Sequence, residues 1–153
     1  MKKHVIIMVG VPKSGKSTWC DRFLEENGGE DKVKVISYDT LKARLYGSKQ
    51  YNIDFNIVKE VFDYSLVTAL NDDDIEYILI DNENIKKQQR QELVAFIKTI
   101  GNCKISFNEF TTPKIIVYWR AIVSKIPLRV IRDMYNNYEK IDCDDMFSVL
   151  DVW

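Results

Sequence analysis

The chain has 153 residues, 46% of them hydrophobic and 29% charged, with a formal net charge of −1. That length suits one domain with a sizeable core, and the near-neutral balance excludes a global basic field for nucleic acid. No apolar run approaches the roughly 20 residues that span a bilayer, and Cys20, Cys103 and Cys143, widely spaced and unclustered, exclude a zinc cluster or disulfide framework. The expectation is one domain over residues 1–153, soluble and cytoplasmic, with no membrane partner.

Val5-Ile6-Ile7-Met8-Val9 reads as a buried strand. Residues 10 to 17 follow as Gly-Val-Pro-Lys-Ser-Gly-Lys-Ser, a full G-x-x-x-x-G-K-[ST] phosphate-binding loop, and Ser17-Thr18-Trp19-Cys20-Asp21-Arg22-Phe23-Leu24 leads out as a helix. Strand, loop and helix in that order are the context the motif requires. A triphosphate packs several negative charges together, and inward-pointing backbone amides at a helix N-terminus solvate them. Gly10 and Gly15 permit the backbone angles and close approach, with Pro12, Lys13 and Ser14 completing the loop between them. Lys16 supplies a mobile charge for the β- and γ-phosphates, the Ser17 hydroxyl a ligand for Mg²⁺, and Thr18 lies near the α-phosphate. ATP and Mg²⁺ are the expected ligands.

Further along, Val33–Ser37 and Tyr77–Ile80 read as short strands, the second almost continuously apolar as in a central parallel strand. Between them Phe55, Val58, Val61, Phe62, Ser65, Leu66 and Ala69 recur at helical spacing as one apolar stripe. A helix over Ile85–Ile100 stops at Gly101, and Lys104–Phe107 reads as another strand. Alternating strands and helices imply an α/β fold of three layers. Its parallel sheet has about four or five strands, with helices on both faces. From Pro113 the pattern is helical only, Pro113 and Pro127 falling at plausible first helical positions. Lys114 to Lys140 contain six basic residues against two acidic ones, and Asp142, Asp144, Asp145 and Asp151 follow as an acidic tail able to dock on that basic pair.

Ligands of such sheets sit beyond the carboxyl ends of the strands. Asp39, just after the second strand, and Asp81, closing Ile78-Leu79-Ile80, meet that rule. Asp81 has the place of a Walker-B aspartate that orders Mg²⁺, and it also reads as a strand-end cap.

These residues resemble the kinase domain of the T-even phage type of 5′-hydroxyl polynucleotide kinases. The likeness rests on the Met-Lys-Lys start, Gly10 to Trp19, the strand leading to Asp39, the Ile80-Asp81 strand end and Pro127-Leu-Arg-Val-Ile-Arg-Asp-Met-Tyr135. It implies a P-loop kinase fold with a C-terminal helical lid, and ATP-dependent phosphoryl transfer to a 5′-OH end of DNA or RNA. In that family the counterpart of Asp39 is the general base, and a basic residue three positions on, here Lys42 in place of the usual arginine, holds the acceptor phosphate. Arg44 stands one helical register away as a substitute. Spacing from Pro113 implies Arg120 as the catalytic lid arginine, with Lys125 as a second charge; a solvated helix face is the other reading of both. The family's Asp-Thr-Asn segment stands here as Asp81-Asn82-Glu83-Asn84, so Asn84 or Asn82 takes the acceptor side. Related kinases often carry an arginine on the next helix, but Arg90 among Lys86, Lys87, Gln88 and Gln89 reads as a surface residue. The phosphatase half that accompanies the phage kinase is not expected.

Trp19 reads as core, and Tyr38, Tyr46 and Tyr51 as either packing or a stacking platform near Asp39. His4 reads as structural, Asp72-Asp73-Asp74 as a solvated turn and Cys143-Asp144-Asp145 as surface. Two other functions use the same residues. One is a small P-loop kinase for a nucleoside, nucleotide or other small acceptor, and the other a non-catalytic ATP-binding switch.

Overall fold

Val33–Ile36 (β2), Tyr77–Ile80 (β3), His4–Val9 (β1) and Lys104–Glu109 (β4) lie side by side in that order as an all-parallel sheet. The structure is a computed structural model that describes residues 2–47 and 52–150; Tyr51 and Asp151 lie outside them. His4 pairs with both Tyr77 and Lys104, and Val33 pairs with Tyr77, so the strands start level. Ile7 and Ile36 both pair with Ile80, which brings the ends of β2 and β3 and the chain leaving β1 to one edge. That edge is where the sequence places its loop and both strand-end aspartates.

Alternation sorts the β1 side chains between two cores. Val5 and Ile7 point with Ile78, Ile80 and Ile105 towards Tyr38–Tyr46 (α2), Phe55–Asn71 (α3) and Lys87–Ile100 (α4). Ile6 and Met8 point with Leu79 towards Cys20, Trp19 and Phe23 on Lys16–Glu26 (α1). Burial raises the Cys20 thiol to about 12, so it packs as a small hydrophobe rather than reacting as a thiolate.

The α3 stripe buries Val58, Phe62, Leu66 and Ala69 as its spacing requires. Phe55 departs from it: as the first residue of α3, after the Asp54 cap, it is 67% exposed, and the Lys42 ammonium lies 5.3 Å from its ring centre. α4 starts at Lys87, two residues later than expected, and Ile85 is buried in the segment ahead of it. β4 runs on to Glu109 because Asn108 and Glu109 continue the ladder with Met8 and Val9.

Lys114–Val123 (α5) and Leu128–Asn136 (α6) pack around Val11, Val117, Ala121 and Ile131, a third core anchored on the phosphate-binding loop. Pro113 and Pro127 sit at the caps, one position outside the first turn, with φ of −53° and −57° that suit either place. The tail forms a further short helix, Cys143–Ser148 (α7), closed by reciprocal bonds between Asp142 and Asp145. It docks on α4 and not on the basic pair α5 and α6: Lys87 bonds Asp142 and Asp144 at 2.6 and 2.7 Å. No helix among the described residues is long and apolar enough to cross a membrane.

Candidate active site

Gly15, at φ 104°, caps α1 in a left-handed conformation that favours glycine. The cap supplies no side-chain bond and the first turn holds no acidic residue, so the orphan N–H groups and positive dipole end of an eleven-residue helix remain for an anion. Lys13 is also left-handed, at φ 66°. The Ser14 hydroxyl is buried without a hydrogen-bond partner. A Cβ on Gly10 would stand 2.8 Å from that hydroxyl and 3.1 Å from Phe110 Cβ, so the loop has no room for a side chain there. Gly10 N–H donates to the Glu83 carbonyl (2.9 Å) and Thr112 Oγ1 to the Ser14 carbonyl (2.6 Å), tying the loop to the segments after β3 and β4. These features fit a phosphate chain: a shaped backbone cradle, an orphaned hydroxyl and unneutralised amides.

Lys16 is buried and its ammonium donates to the Gly10 and Val11 carbonyls at 2.9 and 2.8 Å. Burial lowers its pKa, partly offset by the charges of Glu83, Asp81 and Asp39. The Ser17 hydroxyl donates to Asp81 Oδ2 over 2.7 Å, which joins the start of α1 to the end of β3. Among the described residues no cluster of three or more His, Cys, Asp or Glu could hold a metal alone. The pair Ser17 and Asp81 suits Mg²⁺ all the same, because that ion usually takes one or two protein oxygens and completes its shell with water and substrate phosphate.

A cleft of about 980 Å³ gathers Pro12 through Thr18, Asp39, Asp81 and Arg120 at the carboxyl edge of the sheet. Asp39 occupies the first turn of α2, whose cap is Ser37, and its side chain is 85% exposed. Lys42 reaches back to it at 3.5 Å across one helical turn. Arg120, near the end of α5, donates to the Lys13 carbonyl over 3.1 Å. Lys42, Lys125 and Asn84 are not on the cleft wall. Asn84 lies behind the loop, at φ 47°, with Nδ2 donating to the Met8 carbonyl at 2.9 Å. The Asn82 Oδ1 accepts from Tyr38 N–H at 2.8 Å.

Trp19 both packs and lines the cleft, stacked on Phe23 at 5.0 Å and edge-on to Phe110. Tyr38 stacks on Phe62 at 4.6 Å, and Tyr46 accepts the Asp54 N–H through its hydroxyl, so both serve packing. His4 Nε2 bonds Ser106 Oγ at 2.7 Å within the sheet.

Two surface expectations are corrected. Arg90 and Asp145 are fully buried and pair through two bonds, Nε to Oδ1 at 3.1 Å and Nη2 to Oδ2 at 2.9 Å. Nη1 of Arg90 also donates to the Asn84 and Glu139 carbonyls, so one guanidinium knits the segment after β3 to the chain between α6 and α7. Its flanking polar residues conceal this in the sequence, although Arg90, Val94 and Ile97 share the buried helical face. The sequence reading also passed over Glu83, Thr40 and Thr112 on the cleft wall. For Glu83 the signal was its place three residues past the central strand.

The sheet order, the loop and the strand-end aspartate define a P-loop kinase fold. The chain belongs to the AAA domain family (AAA_33), which matches it over residues 5–140. In fold it is similar to a chain of the Pnkp1/Rnl/Hen1 RNA repair complex, with a TM-score of 0.74 and 21% identity over 89% of this chain and 44% of that one. It is similar to a fungal RNA kinase, with a TM-score of 0.63 and 16% identity over 92% of this chain and 66% of that one. A gluconokinase from Sinorhizobium meliloti 1021 shares the fold at a TM-score of 0.58 and 15% identity, over 90% of this chain and 75% of that one. The chain spans less than half the length of the chains it matches in two structures of the Pnkp1/Rnl/Hen1 complex, 44% and 39%.

Proposed function

We propose that this protein transfers the γ-phosphoryl group of ATP to the 5′-hydroxyl end of a nucleic acid. The observation that carries the reading is the 2.7 Å contact between Ser17 and Asp81 at the mouth of a glycine-shaped loop, with Asp39 on the wall of the same cleft. The loop amides and Lys16 bind the phosphate chain, for which the Lys16 ammonium exchanges its carbonyl partners for phosphate oxygens. Ser17 and Asp81 would hold Mg²⁺, which would supply positive charge against the phosphate chain. Asp39 orients the acceptor hydroxyl and takes its proton as the new P–O bond forms and the bond to the ADP oxygen breaks. Arg120, already turned towards the loop through the Lys13 carbonyl, offsets charge on the migrating group. Lys42 and Arg44 on α2, with Asn84 behind the loop, supply the acceptor side.

Labelled γ-phosphate, Mg²⁺, a 5′-OH oligonucleotide, a nucleoside 3′-monophosphate and free nucleosides test this directly, with Asp39→Ala as the control. Labelled oligonucleotide that disappears with the substitution is the expected result. Label only on a small acceptor overturns the nucleic-acid part, and no transfer despite ATP binding overturns the kinase reading. A small-molecule acceptor is the second reading, favoured by the 3.5 Å engagement of Lys42 with Asp39, which commits the lysine expected to hold an acceptor phosphate.

A further inference from the structure

α5 is apolar around most of its circumference, with Lys114 and Arg120 its only charged residues. A helix of that composition is ordinarily buried on all sides. One face of α5 is buried: Val117 and Ala121 pack with Val11 and Ile131. The opposite face is not. Ile115, Trp119, Ile122 and Val123 are between 59% and 79% exposed, with Ile116 beside them at 39%.

At 3.6 residues per turn these five side chains fall within one arc of about 120°, so they form a continuous stripe rather than scattered apolar residues. Both cations of α5 turn to their own chain instead. Lys114 Nζ lies 4.8 Å from the Tyr135 ring centre, and Arg120 donates to the Lys13 carbonyl at 3.1 Å. The stripe is left without a charge.

Area and charge decide what covers it. Large side chains of this kind carry about 150–250 Å² each, so the stripe exposes on the order of 600 Å². That reaches the top of the range of about 300–600 Å² for the largest patch on an ordinary monomer. Two such faces pressed together bury about 1,200 Å², where the range of stable protein pairs begins. A partner with charged anchors finds nothing to pair with on this stripe, whereas a second copy meets it with no like charges opposed. A lipid surface is the poorer match, because a membrane-lying helix offers lysine and arginine to anionic headgroups, and here both cations are held by their own chain, whose net charge is −1.

We infer that this protein pairs with a second copy of itself through α5, with Trp119 at the centre of a twofold contact and Ile115, Ile122 and Val123 around it. Such a contact closes on two chains and buries the stripe of both. Arg120 directly follows Trp119, so pairing also fixes the helix whose arginine reaches the phosphate-binding loop. The contact itself does not depend on the kinase reading.

Sedimentation equilibrium of the full chain from about 1 to 200 µM tests this, a range that brackets the micromolar affinity expected of an interface of this size. The mass is expected to rise from 18.0 kDa, that of one chain, to twice that value. Trp119→Glu and Ile122→Glu each set like charges against one another in the contact and raise the dissociation constant by about thirty-fold or more, the scale of losing a central anchor. Tyr64→Glu, at a 74% exposed position on α3, leaves it unchanged. Dilution of the ¹⁵N-labelled wild type needs no variant to fold: the amide resonances of residues 115–123 and the Trp119 indole N–H are expected to move with concentration. A single-chain mass over the whole range overturns the inference, as do a pair that persists in both α5 variants and concentration-dependent shifts confined to residues outside α5. A single chain that cosediments with phosphatidylglycerol vesicles, and no longer does so in Trp119→Glu, assigns the stripe to lipid and overturns it as well.

Discussion

The Ser17 hydroxyl and the Asp81 carboxylate meet at 2.7 Å, although 64 residues separate them in the chain. The contact exists because β1 and β3 are hydrogen-bonded neighbours, so the first turn of α1 starts beside the residue that ends β3. A hydroxyl and a carboxylate so placed would supply two oxygens to a Mg²⁺ ion, which usually takes the rest of its ligands from phosphate and water. Asp81→Asn keeps the shape and one acceptor oxygen but removes the charge. Bonds to charged groups contribute about 1.5–3 kcal/mol, so the Mg²⁺ concentration for half-maximal ATP binding rises by about ten-fold or more. Isothermal titration of ATP over a Mg²⁺ series measures this, and an unchanged requirement removes Asp81 from the metal site.

The loop glycines fail for different reasons when substituted. Gly10→Ala places a methyl 2.8 Å from Ser14 Oγ and 3.1 Å from Phe110 Cβ, so the Ser14 hydroxyl that lines the cradle must turn away and Phe110 must give by a few tenths of an ångström. Gly15→Ala meets no atom within 4 Å, but holds a left-handed backbone at φ 104°, a strain of about 1–3 kcal/mol. Gly15→Ala therefore lowers the urea midpoint through backbone strain alone, while Gly10→Ala also weakens ATP binding. Gly15→Asn, which tolerates such angles better, recovers part of the lost stability. Denaturation and ATP titration of the three variants check the separation.

Local patterns made the scaffold legible. The apolar run before the loop, the continuous Ile78-Leu79-Ile80 and the α3 stripe announced strands and helix, and Asp39 and Asp81 were found from strand ends alone. Long-range partnerships were not legible in that way. Arg90 reads as solvated because its neighbours are Lys and Gln, and only the fold of α7 onto α4 shows that Asp145, 55 residues on, accepts its charge. Phe55 was misplaced for a related reason: helical spacing identifies a face but cannot say where along it the sheet ends. Spacing also could not show that Asn82 and Asn84 commit opposite ends of their amides to the backbone.

Breaking the buried Arg90–Asp145 pair from either side leaves an uncompensated charge without water, which typically costs about 3–5 kcal/mol. Arg90→Ala and Asp145→Ala each lower the chemical-denaturation midpoint by that order. Arg90→Met combined with Asp145→Leu recovers much of the loss, since no charge is left buried. Recovery is incomplete because Nη1 of Arg90 also satisfies the Asn84 and Glu139 carbonyls. Arg90→Lys retains the charge but not the fork and stays close to Arg90→Ala. A double variant no more stable than either single one contradicts the assignment.

Lys16 links the site to stability in the opposite sense. Burial lowers its pKa in the folded protein below the ordinary 10.5, so between the lowered value and 10.5 the unfolded chain binds more protons than the folded one. Below that window the ammonium is charged in both states and its burial is a cost; within it, the folded protein sheds the proton first and its stability contribution from this residue rises with pH. Lys16→Met, of similar length and without charge, is therefore expected to raise the denaturation midpoint at pH 7 while abolishing ATP binding. The advantage over the wild type shrinks as the pH climbs towards 10.5, where the wild-type lysine also becomes neutral. Paired urea titrations at pH 7 and pH 10 read the difference directly. A variant less stable than the wild type at pH 7 means that the bonds to the Gly10 and Val11 carbonyls outweigh the desolvation of the ammonium.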